Sequence, residues 1–273
     1  MSAHRASAAL PTAGGQEISG FGALPGIGLE EITERAGLMT RVDRKYVFPR
    51  EEVGTLLAAA GGDLRVLEID GRRRFSYRSL YYDTPDLTAY RAAATGRRRR
   101  WKVRRRDYLD TGTSFLEVKT RTGRGESAKL RLPLPADGSG AGPAAGRPLS
   151  GAGLEHVRTT LLDAGCAVPA QPLVPVLATA YARTTVLIAD EDARLTLDDS
   201  LSWIAADGQM LHLDGEVVVE TKAGTRPGRV DRALWRAGHR PQRLSKYATG
   251  LALLDDSLSA NRWHRTLRDL PVA

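Results

Sequence analysis

The sequence predicts an α+β protein dominated by an antiparallel sheet, and three observations support this. Short runs alternate apolar and polar residues with period two, turn residues punctuate them, and only a few stretches carry the helical period.

Residues 1 to 27 are rich in Ala, Gly, Ser and Pro without a sustained period, and are expected as a flexible tail. A strand is expected at 40 to 48, then a helix at 49 to 60 that opens on Pro49 with Glu51 and Glu52 in its first turn. Strands at 64 to 69 and 73 to 83, a helix at 86 to 95, and strands at 97 to 108, 113 to 120 and 128 to 132 follow. Pro133, Pro135, Gly138, Gly140, Gly142, Pro143, Gly146 and Pro148 break the segment 133 to 153, which reads as a Gly/Pro-rich loop inside one domain. A helix at 152 to 164, strands at 174 to 189, 193 to 206 and 216 to 222, and helices at 229 to 237 and 244 to 256 complete the unit. The folded domain is therefore expected over 28 to 257, with 258 to 273 as a C-terminal tail. About nine strands are enough to close a barrel and remove its edges.

Side chains alternate faces along a strand, so parity shows what each face carries. Asp43 and Lys45 share a face with Arg41; Lys102, Arg104 and Arg106 oppose Trp101 and Val103, although Arg105 interrupts the apolar side. Arg74, Ser76 and Arg78 oppose Phe75 and Tyr77. Glu117 and Lys119 oppose Leu116 and Val118, while Lys129 and Arg131 oppose Leu130 and Leu132. Arg194, Thr196 and Asp198 oppose Leu195 and Leu197, and Glu220 and Lys222 oppose Val217 and Val219. Any one of these faces could simply meet solvent. Repeated strand after strand, clustered cations cost repulsion unless an anion takes it up, and Arg and Lys suit a ligand with many phosphate oxygens.

Composition agrees and narrows little. The 273 residues carry 40 Lys and Arg against 32 Asp and Glu, a formal charge of +8, which calls for an anionic partner without naming it. Nucleic acid is disfavoured, despite the Arg97 to Arg100 run, because aromatics are 6% of the chain and do not interleave with the basic residues as stacking platforms. Cys166 is the only cysteine, so no intramolecular disulfide forms. No run approaches the roughly 20 apolar residues that span a bilayer, and no signal peptide opens the chain, so a cytoplasmic protein is expected. His4, His156, His212, His239 and His264 lack metal-ligand spacing, and no phosphate-loop or nucleophile-elbow motif is present. The acids Glu117 and Glu220 either pair with neighbouring cations or ligate a hard metal, which needs one or two carboxylates when the substrate supplies the remaining oxygens.

Six segments occur in a recognisable order: Arg41 to Val47, Tyr81 to Pro85, Lys102 to Arg106, Leu116 to Lys119, Val219 to Lys222 and Ser245 to Leu251. Over about residues 30 to 256 the chain resembles the VTC-type polyphosphate polymerase domains of the triphosphate tunnel metalloenzyme, or CYTH-like, superfamily. The resemblance implies an eight-stranded antiparallel β-barrel, a tunnel with flanking helices and a basic interior for a linear phosphate chain. Carried over, Lys45, Arg104, Arg106, Lys119, Arg183, Arg194 and Lys246 are the expected catalytic cations, with Arg91, Lys129 and Arg243 as substrate-binding residues and Glu220 as the metal ligand. Arg78 joins the substrate-binding set by parity. Where the superfamily carries an E-x-E-x-K strand, Arg41, Asp43 and Lys45 stand here, which removes one metal ligand and is similar to the polymerase branch.

The implied activity is transfer of the γ-phosphoryl group of ATP, or another nucleoside triphosphate, to a growing polyphosphate chain with Mn²⁺ or Mg²⁺. Two alternatives stay open: hydrolysis of a triphosphate in the same tunnel, and binding of polyphosphate or nucleic acid without turnover. A membrane-protein partner for the product is a further implication of the resemblance.

Overall fold

The computed structural model describes residues 18–37, 42–123, 126–135 and 147–273. Among the described residues eleven strands make one sheet: β1 (Gly26–Ile27), β2 (Val42–Pro49), β3 (Leu64–Leu67), β4 (Phe75–Asp83), β5 (Arg100–Tyr108), β6 (Thr113–Arg121), β7 (Ser127–Leu134), β8 (Val174–Ile188), β9 (Ala193–Ala205), β10 (Met210–His212) and β11 (Glu216–Ala223). Its main path runs β2-β11-β9-β8-β4-β5-β6-β7 through antiparallel pairs, the eight-stranded α+β arrangement that was expected. The helices are α1 (Leu29–Gly37), α2 (Val53–Ala60), α3 (Thr88–Ala94), α4 (Gly151–Asp163), α5 (Arg229–Arg236), α6 (Lys246–Leu254) and α7 (His264–Asp269).

Except on β4, the apolar alternation faces outward onto helices and the charged alternation faces inward. Tyr46, Phe48, Leu195, Leu197, Val217 and Val219 pack against Val53, Leu56 and Leu57 of α2 and Ala233 and Leu234 of α5. Trp101, Val103, Leu116 and Val118 pack against Val157 and Leu161 of α4. Burying each such side chain contributes roughly 1.5–3 kcal/mol, so the helices hold the sheet from outside while its curl encloses the charged side.

The ends of the sheet approach through side chains rather than through a further ladder. Among the described residues β2 and β7 end the path without pairing, yet Lys119 of β6 lies within electrostatic reach of Asp43 and Lys45 of β2. The segment before α6 links the two walls. Gln242 N–H donates to the carbonyl of Lys45 at 2.7 Å, and Lys102 Nζ donates to Ser245 Oγ at 2.8 Å. The β4–β8 register skips Val176 of β8, and the β8–β9 register sets Ser200 and Leu201 of β9 against Tyr181 alone; these irregularities in β8 and β9 bend a sheet that must curl.

Helix α6 crosses one end of the enclosed face. Ser245 caps it by accepting from Ala248 N–H at 3.2 Å, and Trp203 Nε1 donates to the carbonyl of Lys246, in its first turn, at 2.8 Å. A side chain at Gly250 would collide with the Trp203 ring, so the glycine permits this close approach. Tyr81, Leu177, Tyr181 and Trp203 then pack with Tyr247 and Leu251.

Two expectations differ from the structure. The described part of the N-terminal tail is packed: Ile18 and Phe21 are buried beside α2, and β1 pairs in parallel with β3. Residues 1–17, Arg41 and residues 136–146 of the expected loop lie outside the described residues. The C-terminal tail is also packed, with Trp263 and Leu270 buried and Leu213 bridging to Val272. In both segments a few apolar residues separated by small or polar ones fill gaps between elements, a pattern with no sustained period.

Candidate anion-binding tunnel

The inner face is organised around carboxylates that each hold several cations. Asp198 of β9 accepts from Arg183 Nε and Nη2 of β8 at 2.5 and 2.8 Å and from Lys246 Nζ of α6. Burial alone would raise this carboxyl, but Arg183 and Lys246 overcome it and bring Asp198 down to about 2. Glu117 of β6 accepts from Arg104 Nε and Nη2 at 2.7 and 2.5 Å, from Arg131 Nε at 2.9 Å and from Lys129 Nζ at 3.4 Å. Its burial would also raise it, and Arg104, Arg106 and Lys129 instead hold it far below the carboxylate range. Glu220 of β11 lies 3.0 Å from Lys45 Nζ and 3.2 Å from Lys222 Nζ, and Lys222 reaches Asp43 at 3.5 Å. Against the penalty of burial, Lys45, Lys222 and Arg183 hold Glu220 well below its ordinary value.

Cations outnumber these acids. Arg106 is buried, donating to Tyr181 Oη at 2.6 Å and lying 5.5 Å from the centre of the Tyr77 ring. Lys102 is directly opposite Lys119 on the neighbouring strand. Burial, reinforced by Lys119 and Lys45, lowers the Lys102 amine to about 7. Desolvation within the enclosed face likewise lowers Lys119, and brings Lys129 down to about 8 against the pull of Glu117. A wall with such surplus positive charge is a surface that a polyanion stabilises.

Lys45, Arg104, Arg106, Lys119, Lys129, Arg183, Arg194, Lys246 and Glu220 are brought together here. For the strand residues among them, cross-strand register assigns the common face: Lys45 opposes Glu220, Glu220 opposes Thr196, and Arg194 opposes Lys222. Arg78 is not on this face. It pairs in register with Asp107 and Ala180 and donates to Asp107 Oδ2 at 3.0 Å, in an outer network with Arg105 and Ser114. On β4 the inward residues are Phe75, Tyr77, Ser79 and Tyr81, so choosing the cationic side as the inner one fails for that strand. Arg91 is exposed on α3 beside Asp86, and Arg243 is exposed in the segment leading to α6; neither is gathered into the ion-pair cluster. Residues outside the expected set that do contribute are Lys102, Arg131, Asp198, Tyr181 and Lys222. All but Tyr181 were visible in the strand alternation.

Among the described residues no three His, Cys, Asp or Glu side chains converge as a metal cage. The donor set still suits a hard divalent cation shared with substrate. Glu220 is ionised on the inner face, and phosphate oxygens supply the ligands that a protein cage would otherwise provide.

The VTC domain model matches residues 40–255. The chain belongs to the VTC domain family. No curated protein matches it. Solved structures similar to this VTC domain include HpAC1 from Hippeastrum, a putative adenylyl cyclase described as having a dominant triphosphatase activity, at 18% identity and a TM-score of 0.48 over 78% of this chain and 96% of that one. The PH1819 protein of Pyrococcus horikoshii OT3 is similar at 12% identity and a TM-score of 0.39, over 76% and 93% of the two chains. The PH1012 protein of the same organism is similar at 10% identity and a TM-score of 0.36, over 73% and 88%. The family places this VTC domain among the triphosphate tunnel enzymes.

Proposed function

We propose that this VTC domain is a polyphosphate polymerase that moves the γ-phosphoryl group of ATP, or another nucleoside triphosphate, onto the end of a polyphosphate chain. The observation carrying this reading is that every carboxylate named on the inner face is bound to a cation, and Glu117, Asp198 and Glu220 all titrate below their ordinary values. None is poised as a general base for water, which would titrate near the operating pH. A terminal phosphate is already an anionic nucleophile and needs no base.

Phosphoryl transfer leaves a protein mainly positioning and charge stabilisation to perform. Arg183 and Arg104, fixed by Asp198 and Glu117, present guanidinium groups for equatorial oxygens, and Lys246 approaches from the plugged end. Lys102 and Lys119 gain an anionic partner when a chain lies between the walls. Glu220 would hold Mn²⁺ or Mg²⁺, and the bound ion would supply charge neutralisation at the transferring phosphates.

A hydrolytic reading rests on Lys102, whose amine near pH 7 could accept a proton from water. Incubation with γ-labelled ATP and Mn²⁺ separates the two: acid-labile chains longer than the donor support the polymerase, and orthophosphate alone supports the hydrolase. Use of ATP fits a cytoplasmic setting, and a membrane protein that receives the product is the partner implied by the family. Among the described residues no helix is long and apolar enough to cross a membrane.

A further inference from the structure

We propose that the arginine-rich rim at the start of β5 is a second anion site, which takes the part of a linear polyphosphate chain lying outside the tunnel. The proposal rests on the polyphosphate reading of the interior. Its residues are Arg97, Arg98, Arg99, Arg100, Arg121 and Arg262.

The rim starts where the inner face ends and turns towards the α4 side of the sheet. Along β5 and β6, Lys102 opposes Lys119, and two residues further out Arg100 opposes Arg121. Like charges directly opposite one another destabilise a ladder unless something else compensates them. Arg262 joins from the C-terminal segment, its guanidinium resting on Gly96, where any side chain would collide with it. Arg99 reaches over Gly123 at the β6–β7 turn. Arg97, Arg98 and Arg99 are exposed and line an open concavity of about 760 Å³ with Gly165, Cys166 and Ala167. Arg99 also lines an adjoining hollow of about 340 Å³.

The rim differs from the interior in its compensation. Inside, Asp198, Glu117 and Glu220 gather the cations into ion pairs. Among the described residues none of the six rim arginines has a carboxylate partner; Arg100 donates only to the carbonyl of Arg97, at 2.7 Å. Glu126 lines the adjoining hollow without forming an ion pair there. Such a surface has the charge for a flexible polyanion, and it lies beside the C-terminal end of α4, at the end of the sheet that α6 crosses. It lacks a stacking platform for bases, because the neighbouring Trp101 is buried under α4.

The test is equilibrium binding of labelled long-chain polyphosphate and of tripolyphosphate to the full chain, without nucleotide or metal, in the wild type and in R97Q/R98Q/R99Q. The expected result is long-chain affinity reduced by about tenfold or more, with the log-log salt dependence shallower by roughly two, and tripolyphosphate affinity unchanged. Equal losses for both ligands, or no loss for either, overturn the proposal. Single-stranded DNA that competes as well as polyphosphate and depends equally on the three arginines would make the rim a nucleic-acid site and overturn it too. Arginine-dependent chain binding in a protein that makes no polymer would sink the polymerase reading and leave the rim standing. A wild type that binds neither ligand overturns both.

Discussion

Lys102 and Lys119 face one another across β5 and β6, two ammonium groups in register with no ion pair between either of them and a carboxylate among the described residues. Lys102 is the more enclosed of the two, and Lys119 stands closer to solvent. The arrangement costs stability in the empty protein and is relieved by an anion. This makes Lys102 a reporter of occupancy.

The Lys102 amine titrates near 7 in the fold, against about 10.4 when unfolded. Between those values the unfolded chain binds a proton that the folded chain lacks, so this residue's contribution to stability rises with pH across that window and is poorest below 7. K102M is therefore expected to raise the melting temperature at pH 6, by at least about 1 kcal/mol in stability, with the gain shrinking towards pH 10. Tripolyphosphate binding should weaken in the variant and lose up to one proton of its pH dependence above 7. A variant that melts at the wild-type temperature at pH 6 would contradict the buried-charge account.

Asp198 holds Arg183 and Lys246 together, and D198N leaves both with a neutral neighbour. Breaking a buried ion cluster by removing one partner costs about 3–5 kcal/mol, which urea denaturation at pH 7 would register. Asp198 titrates at about 2, below its ordinary value, so its stabilisation is full above about pH 4 and is lost as pH falls through 2. The difference between wild type and variant should accordingly narrow in acid. A constant difference from pH 7 to pH 2 would argue that the carboxylate is not what holds the cluster.

Glu220 is expected to matter for turnover more than for affinity. E220Q should cut metal-dependent turnover by at least about 100-fold, while tripolyphosphate binding without metal stays equal or improves because Lys45 and Lys222 lose a competing anion. Turnover that responds to Mn²⁺ as in the wild type would remove Glu220 from the metal site.

Much of this was legible in the sequence because a strand displays its two faces by parity. Lys45, Arg104, Lys119, Lys129 and Glu220 each stand on an alternating run, and parity does not depend on how the strands meet; Arg183, on a strand buried on both faces, was indicated only by the family resemblance. The sign of the face is not so encoded. Arg78 alternates as cleanly as Arg104, yet β4 turns its aromatic side inward, and Arg78, with Arg74 just before the strand, holds Asp107 and Asp199 outside. Only the β4–β5 register, which sets Arg78 opposite Asp107 and Tyr81 opposite Arg104, decides between the sides. The terminal segments were illegible for another reason. Ile18, Phe21, Trp263 and Leu270 fill gaps left by other elements, and such contacts leave no period in their own sequence.

The most direct test of the inner face as the phosphate-chain site is a calorimetric comparison of tripolyphosphate binding to R104Q and R78Q. R104Q is expected to weaken binding by at least about tenfold, the loss of one charge-assisted contact of roughly 1.5–3 kcal/mol, while R78Q lowers thermal stability and binds as the wild type does. Equal affinities for R104Q and wild type, or a loss confined to R78Q, would place the ligand on the other side of the sheet and contradict the account.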